Sequence, residues 1–180
     1  MVDMDQTLIE AVPTDDPRYD YTWGQVITFQ DFNGEIGRYR VHIRPHAIDM
    51  VNEIVRTGNH YIVWSAGTYY YVHAMMRYFS QQSQCWPETI YTREDMVLHR
   101  GQKYKSMHRM GYSNFLIIDD NPELIIPTER DRIVRIGSWS LENHEDRDLN
   151  WVSSLLQIYT YTVPVTIQSK NQFRMTDLES

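Results

Sequence analysis

The sequence has little cysteine, with Cys85 as the single thiol among 180 residues. One cysteine excludes an intramolecular disulfide framework and a zinc site built from several thiolates. It suits a reducing compartment, so we expect an intracellular protein, nuclear or cytoplasmic. The histidines follow no metal-binding spacing, and the glycines form no phosphate-binding loop of the nucleotide-binding type.

Basic residues and long apolar runs are also scarce. The chain has 17 Lys and Arg against 24 Asp and Glu, which gives a net charge of −7. An acidic surface argues against nucleic acid and anionic membranes as partners, because both bind basic surfaces. No apolar run approaches the ~18 residues of a membrane helix, and the acidic N-terminus does not resemble a signal peptide. The sequence gives no oligomeric state.

What the chain does contain is an alternation of short apolar runs and helical patterns. No repeat or linker divides its 180 residues, a length that suits one domain. Alternating strands and helices predict an α/β fold with βαβ units and a mainly parallel sheet. We expect strands at 60–64, 114–118 and 132–136, and helices at 46–56, 68–79, 103–110 and 148–159.

The remaining segments carry turn and hairpin patterns. Asn33-Gly34 predicts a tight turn joining strands at 26–32 and 35–44. Residues 12–21 are rich in turn-forming types and are expected to form an irregular loop. In the tail, residues 161–167 resemble a strand, and the chain then becomes polar.

Polar side chains follow three of the apolar runs. The residues concerned are Asp3, Asp5 and Thr7 after Val2, Ser65 after Trp64, and Asp119 and Asp120 after Ile118. In open α/β sheets, ligands bind beyond the carboxyl ends of the strands. Lys105 lies between the last two groups along the chain. We therefore expect these side chains to share one site.

This set of groups is suited to phosphoryl transfer. Clustered carboxylates repel one another unless a cation holds them, and Mg²⁺ takes one or two carboxylates together with substrate phosphate. One carboxylate can attack phosphorus, while a second carboxyl group gives and takes the proton. A serine hydroxyl and a lysine ammonium can bind the phosphoryl oxygens.

Each signal alone also has an ordinary structural explanation. Carboxylates in a D-x-D-x-T string are often solvated turn or cap residues, and Asp119-Asp120 can begin a turn before Pro122. Ser65 can satisfy a loop, and an isolated Lys105 is usually a solvated charge. Their common position, after buried runs in the right order, favours the chemical interpretation.

With these motifs in place, the sequence resembles the haloacid dehalogenase superfamily, and within it the branch of RNA polymerase II C-terminal-domain phosphatases, also called NLI-interacting-factor-like. That branch has D-x-D-x-T, then Thr or Ser after a strand, then an R-E…H-R-G…K string, then D-D or D-N before S/N-P. Here the matching segments are Asp3–Thr7, Ser65, Arg93–Lys105 and Asp119–Pro122. Arg44-Pro45-His46 and Ser138-Trp139 also match family segments.

The resemblance implies a role for each matched residue. Asp3 would be the nucleophile, Asp5 the general acid and base, and Ser65 and Lys105 the ligands of the phosphoryl group. Mg²⁺ would bind the Asp3 carboxylate, the Asp5 backbone carbonyl and Asp120. Supporting roles would fall to Thr7, which stiffens the loop, and to Asp119, which holds Lys105. Arg93 and Tyr71 match positions that line the substrate groove.

The resemblance also implies a fold and a substrate. The fold would be a Rossmann-like, three-layer α/β/α core with a β-hairpin inserted after the first motif, residues 1–159 forming the catalytic domain and residues 160–180 a tail. The intervals between motifs are too short for a cap domain, so we expect an open site for a phosphoserine or phosphothreonine in an extended peptide. Two alternatives stay open: an open-site phosphatase of small molecules or nucleotides, and a catalytically silent module that binds phosphopeptides or proteins.

Three segments depart from the family pattern. Only Met1 and Val2 precede Asp3, so either the first strand is very short or residues that precede it are missing from the chain. Ser106 stands where the family usually has Asp after the lysine, which leaves a local partner unidentified. Residues 9–22 share little with the family, so we expect the substrate preference to differ.

Overall fold

The computed structural model describes residues 1–16 and 23–162, with the side chains of the last helix described up to residue 157. Its strands are β1 Ile9–Pro13, β2 Gln25–Gln30, β3 Ile36–Ile43, β4 Ile62–Trp64, β5 Thr89–Tyr91, β6 Val97–His99, β7 Gln102–Tyr104, β8 Ile117–Asp119 and β9 Ile133–Arg135. Its α-helices are α1 Ala47–Arg56, α2 Tyr69–Ser83 and α3 Asp148–Thr162.

A parallel sheet forms the centre of the molecule, and the segment Met1–Asp3 is its middle member. Val2 makes parallel bridges to Val63 in β4 on one side and to Ile118 in β8 on the other. β5 pairs with β4 and β9 with β8, also in parallel. The order across the sheet is therefore β5, β4, Met1–Asp3, β8, β9. Mainly parallel pairing is the arrangement that the sequence predicts.

Alternate residues of these strands bury opposite faces of the sheet. One face packs against α1, α2 and α3 through Val2, Val63 and Ile118. The other packs against turns within residues 96–133 through Met1, Ile62, Trp64 and Ile117. Because both faces are covered, these strands are apolar throughout rather than alternating.

The strand pair predicted around Asn33-Gly34 is confirmed, and it belongs to a separate antiparallel sheet of order β1-β3-β2. Gly34 takes a φ of 86°, a left-handed conformation that glycine adopts without strain. The Asp31 carboxylate accepts from the backbone N of Asn33 at 2.8 Å and of Glu35 at 2.9 Å, which closes the turn. This sheet lies between the first motif and α1 along the chain.

Two local predictions are wrong. Residues 103–110 do not form a helix: Gln102–Tyr104 pair with Val97–His99 as a hairpin, which turns at Arg100 and Gly101 with φ values of 49° and 81°. Met107 and Met110 lie in turns and pack against the face of the sheet that Met1, Ile62, Trp64 and Ile117 form. The loop predicted at 12–21 begins inside strand β1, where Val12 and Pro13 pair with β3. Residues 17–22 lie outside the described part of the chain.

The other predicted helices are confirmed, and two of them run further than expected. α2 continues to Ser83 and α3 to Thr162. Residues 161 and 162 are therefore helical rather than extended, and the rest of the strand predicted at 161–167 lies outside the described residues. Within 1–16 and 23–162, no helix combines the length and apolar character needed to cross a bilayer.

Candidate active site

The predicted site residues meet at the carboxyl edge of the central sheet. Asp3 follows Val2, Ser65 follows β4, and Asp119 is the last residue of β8. The backbone N of Asp3 donates to the carbonyl of Ile118 at 2.9 Å, so the first and fourth motifs are directly joined. Adjacent parallel strands end at the same edge, which is why residues distant in sequence converge here.

Lys105 lies buried between two of the carboxylates. Its Nζ donates to the Asp3 carboxylate and, at 2.7 Å, to Oδ2 of Asp119. The backbone N of Lys105 donates to the carbonyl of Leu124 at 2.8 Å, which fixes the residue between the hairpin and the following turn. Burial by itself would lower the pKa of Lys105, but Asp3 and Asp119 raise it above its ordinary value. The amine therefore stays charged.

Asp5 is held by two hydroxyl groups. Ser65 Oγ donates to Asp5 Oδ2 at 2.9 Å, and the Tyr71 hydroxyl donates to the other carboxylate oxygen. The backbone N of Gly67 in turn donates to Ser65 Oγ at 2.9 Å. Burial raises the pKa of Asp5, while the hydrogen bonds from Tyr71 and Ser65 act in the opposite direction. A raised pKa suits a carboxyl group that must carry a proton near neutral pH.

Three carboxylates offer ligand atoms for a cation. One oxygen each of Asp3, Asp119 and Asp120 lies within 4.8 Å of the others. Asp119 is already engaged by Lys105 and by the backbone N of Asn121 at 2.8 Å, whereas Asp120 accepts from the Thr7 hydroxyl at 3.2 Å. Burial raises the pKa of Asp3 well above its usual range, against the opposing effect of Lys105.

The balance of charge fits a divalent cation. Asp3, Asp5, Asp119 and Asp120 carry four carboxylates, and Lys105 is hydrogen-bonded to two of them, Asp3 and Asp119. Clustered buried carboxylates need further positive charge to remain ionised together. Hard oxygen donors are the ligands that Mg²⁺ prefers, so the residues present fit this metal.

The two residues expected in the substrate groove lie beside this cluster. Tyr71, in the first turn of α2, is half-buried and bonded to Asp5. Arg93 is exposed, and its Nε donates to the carbonyl of Ala66 at 2.7 Å, next to Ser65. The backbone N of Arg93 also donates to the carbonyl of Gly67 at 2.9 Å. Tyr71 is therefore bonded to the first motif, and Arg93 to the two residues that follow Ser65.

Sequence reasoning missed the role of Gln6, between Asp5 and Thr7. Gln6 takes a φ of 59°, which is uncommon for a residue with a side chain. Its carbonyl accepts from the backbone N of Trp139 at 3.0 Å and from Arg44 at 3.1 Å, and its side chain accepts from Ser138. The R-P-H and S-W segments thus converge on the loop that carries Asp5. Their match to the family was the available signal, but it did not say what they contact.

Glu129 was also missed, and it supplies the partner that Ser106 lacked. Its buried carboxylate accepts from Ser106 Oγ at 2.6 Å and from the backbone N of Met107 at 2.8 Å. This carboxylate fixes the turn that follows Lys105. No pattern in the sequence pointed to it, because Glu129 lies 23 residues further along the chain.

The family model for NLI interacting factor-like phosphatases matches residues 1–165. A search of curated protein sequences found no match.

Solved structures with a similar fold include two of the RNA polymerase II CTD phosphatase Fcp1. One is a fission yeast Fcp1 variant bound to beryllium fluoride, with a TM-score of 0.57 and 14% identity, covering 88% of this chain and 51% of that one. The other, described as an essential RNA polymerase II CTD phosphatase, has a TM-score of 0.60 and 17% identity, covering 87% and 48%. The chain thus spans about half the length of these proteins.

The structural likeness shows a shared fold, the haloacid dehalogenase type that the motifs predicted. The family match covers nearly the whole chain and includes every residue placed at the carboxyl edge of the sheet. The chain therefore belongs to the NLI interacting factor-like phosphatase family, a family of phosphoric monoester hydrolases.

Proposed function

We propose that this chain is a Mg²⁺-dependent phosphatase that removes phosphate from phosphoserine or phosphothreonine in proteins, through a phosphoryl group carried on Asp3. The observation that carries the proposal is the placement of Lys105, which is hydrogen-bonded to Asp3 and Asp119 at the strand ends where Asp5 and Ser65 also lie. We assign this activity to residues 1–159, which hold every candidate side chain, with residues 160–180 as a tail.

In the first half of the reaction, a carboxylate oxygen of Asp3 attacks phosphorus. The bond from phosphorus to the ester oxygen breaks, and Asp5 gives its proton to the departing serine or threonine oxygen. Lys105 and Ser65 bind the phosphoryl oxygens, where negative charge gathers in the transition state. The Ser65 hydroxyl bonds Asp5 at 2.9 Å and is well placed to turn towards a bound phosphate.

In the second half, water attacks the phosphorus of the aspartyl phosphate. Asp5, now ionised, takes the proton from this water, and the bond between phosphorus and Asp3 breaks to give inorganic phosphate. Thr7 supports this arrangement by its bond to Asp120, and Asp119 by its bond to Lys105.

We assign the Mg²⁺ ligands to the Asp3 carboxylate, the Asp5 backbone carbonyl and the Asp120 carboxylate. When bound, the ion supplies positive charge that offsets the repulsion between the acidic cluster and a phosphate dianion. The close approach of the Asp3 and Asp120 oxygens supports this assignment.

The substrate class is the finer part of the proposal. The solved structures of similar fold are of RNA polymerase II CTD phosphatases, which supports a phosphorylated protein as substrate. Arg93 and Tyr71, beside the second motif, are proposed to contact the peptide around the phosphoryl group. A site without a cap domain and an intracellular location, nuclear or cytoplasmic, belong to the same proposal. The proposal includes neither nucleic acid nor membranes as partners.

The test is a phosphatase assay on the purified chain, with and without Mg²⁺. The substrates are phosphoserine and phosphothreonine peptides, p-nitrophenyl phosphate, a nucleotide and a sugar phosphate. Asp3→Asn should abolish turnover, because an amide does not attack phosphorus. The matched control is Asp49→Asn on α1, where the carboxylate is 77% exposed and turnover should not change.

We expect Mg²⁺-dependent release of phosphate from the peptides. This activity should be lost in Asp3→Asn and kept in Asp49→Asn. Preference for the nucleotide or sugar phosphate would replace the proposed substrate with a small molecule. A folded chain that binds phosphopeptides but hydrolyses nothing would instead be a silent binding module.

A further inference from the structure

The hairpin β2–β3 and helix α2 bring three aromatic rings together beside the site. The ring centroids of Tyr39 and Tyr71 are 5.1 Å apart, and those of Phe29 and Tyr71 are 6.1 Å apart. Phe29 and Tyr39 stack at 6.0 Å. All three rings are half-buried against the main core, so the Tyr71 ring has packed neighbours on the hairpin side.

Glycine leaves the space that two of these rings, those of Phe29 and Tyr71, occupy. A Cβ on Gly67 would lie 2.7 Å from Cδ1 of Tyr71, and a Cβ on Gly37 would lie 2.5 Å from Cζ of Phe29. Both distances are too short for carbon atoms in contact. The ring of Tyr71 therefore has a defined position, set by Gly67 below it and by the hairpin rings beside it.

The fixed ring delivers its hydroxyl to Asp5. Tyr71 donates to one carboxylate oxygen, and Ser65 donates to the other at 2.9 Å. Two donors on two oxygens fix the rotation of the carboxylate about its Cβ–Cγ bond. Ser65 also has the proposed task of binding the phosphoryl group, whereas Tyr71 lies on the hairpin side and has no such task.

We propose that Tyr71 is a positioning residue for Asp5: its hydroxyl holds the carboxyl group in the orientation from which the proton passes to the leaving oxygen. This inference rests on the proposed function and adds a role to the groove contact assigned to Tyr71. An alkoxide leaves only when it is protonated, so the rate of its departure depends on the geometry of Asp5. A nitrophenolate leaves without a proton, so the rate of its departure does not depend on Asp5.

The test compares kcat/KM for an alkyl and an aryl phosphate, ethyl phosphate and p-nitrophenyl phosphate, in wild type and in Tyr71→Phe. This constant covers only the steps up to departure of the alcohol or phenol, so the later role of Asp5 as a base does not enter. Neither substrate carries a peptide, so a loss of peptide contacts does not enter either.

We expect Tyr71→Phe to lower the alkyl-to-aryl ratio of kcat/KM by about tenfold, part of the 10²–10⁴-fold effect of general acid catalysis. For ethyl phosphate, we expect kcat to decrease and KM to stay the same. The matched control is Tyr70→Phe, which removes a hydroxyl from the neighbouring residue of the same helix and should leave the ratio unchanged.

An unchanged alkyl-to-aryl ratio of kcat/KM would overturn the inference. If both values fall equally, the hydroxyl supports structure rather than Asp5, and if neither falls, it has no role in the reaction. Turnover of p-nitrophenyl phosphate shows that the variant is folded. A wild-type chain that hydrolyses neither these esters nor the phosphopeptides would overturn the proposed function itself, which is a different result from an unchanged ratio.

Discussion

At the scale of single residues, the site depends on one buried ammonium group between two carboxylates. The Lys105 side chain is 1% exposed and that of Asp119 is fully buried. A buried ion pair contributes little net stability, because desolvation of both charges offsets their attraction. Its use here is to place positive charge beside Asp3, where the proposed reaction gathers negative charge.

Replacement of Lys105 by methionine should reduce turnover strongly. Lys105→Met keeps most of the side-chain volume but removes the charge, and we expect kcat to fall by more than about tenfold. The buried carboxylates would lose their cation, at a cost of about 3–5 kcal/mol in stability, so the assay is run at low temperature with Mg²⁺ and a folding check. Lys103→Met, on the exposed part of β7, is the control. A kcat for Lys105→Met close to that of wild type would contradict the role given to Lys105.

At the scale of elements, the turn after β7 is held by a residue outside it. Glu129 accepts from the Ser106 hydroxyl and from the backbone N of Met107, and all three residues are buried. The side chain of His108 also approaches this carboxylate, at 3.2 Å. The turn starts at Met107, two residues after Lys105, so the position of the ammonium group depends on this carboxylate.

Glu129→Ala should destabilise the protein by about 1–3 kcal/mol, because the buried backbone N–H of Met107 loses its acceptor. The measurement is urea unfolding followed by tryptophan fluorescence. Glu123→Ala removes an exposed carboxylate that pairs with Arg130 and should cost less than about 1 kcal/mol. Equal small effects of the two changes would show that Glu129 does not hold the turn.

The same elements show how far the sequence predicts the structure. The hairpin turn at Asn33-Gly34 follows from local chemistry, and the central strands follow from their apolar runs. Residues 103–110 do not form the helix that the sequence predicts. Their conformation is decided instead by backbone bonds from Lys105 to residues 124 and 126, which lie about 20 positions away.

The candidate site divides in the same way. Asp3, Ser65 and Asp119 could be placed together because strand ends of a parallel sheet share one edge. Gln6 and Glu129 could not, because their partners lie 132 and 23 residues away in sequence. Contacts of this kind depend on the finished tertiary structure and leave no periodic pattern.

At the scale of the whole molecule, Arg44 joins the first motif to the segment before α3. Its Nε donates to Asp146 at 2.7 Å and a second nitrogen donates to the same carboxylate at 2.9 Å. A third donates to the carbonyl of Gln6 at 3.1 Å. A bidentate pair of this kind is among the stronger charged interactions, and here it links segments about 100 residues apart.

Arg44→Met should lower the free energy of unfolding by about 3–5 kcal/mol, because Asp146 would be left buried without its partner. The double variant Arg44→Met with Asp146→Leu should recover part of this loss, since no uncompensated charge remains. Urea unfolding of the single and double variants gives the coupling energy. Arg38→Met, on the exposed side of β3, serves as the control. Additive losses in the double variant would contradict a direct coupling.

The central claim is that Asp3 accepts the phosphoryl group, and it is tested most directly by trapping that intermediate. In Asp5→Asn, nitrophenolate can still leave, but water lacks its base, so the phosphoenzyme should accumulate. The variant is mixed with p-nitrophenyl phosphate and Mg²⁺, quenched in acid and examined by peptide mass spectrometry. We predict one phosphoryl group on Asp3 in Asp5→Asn, and none in the double variant that combines Asp3→Asn with Asp5→Asn. Phosphate on another residue, or hydrolysis by the wild type with no phosphoenzyme in Asp5→Asn, would contradict the claim.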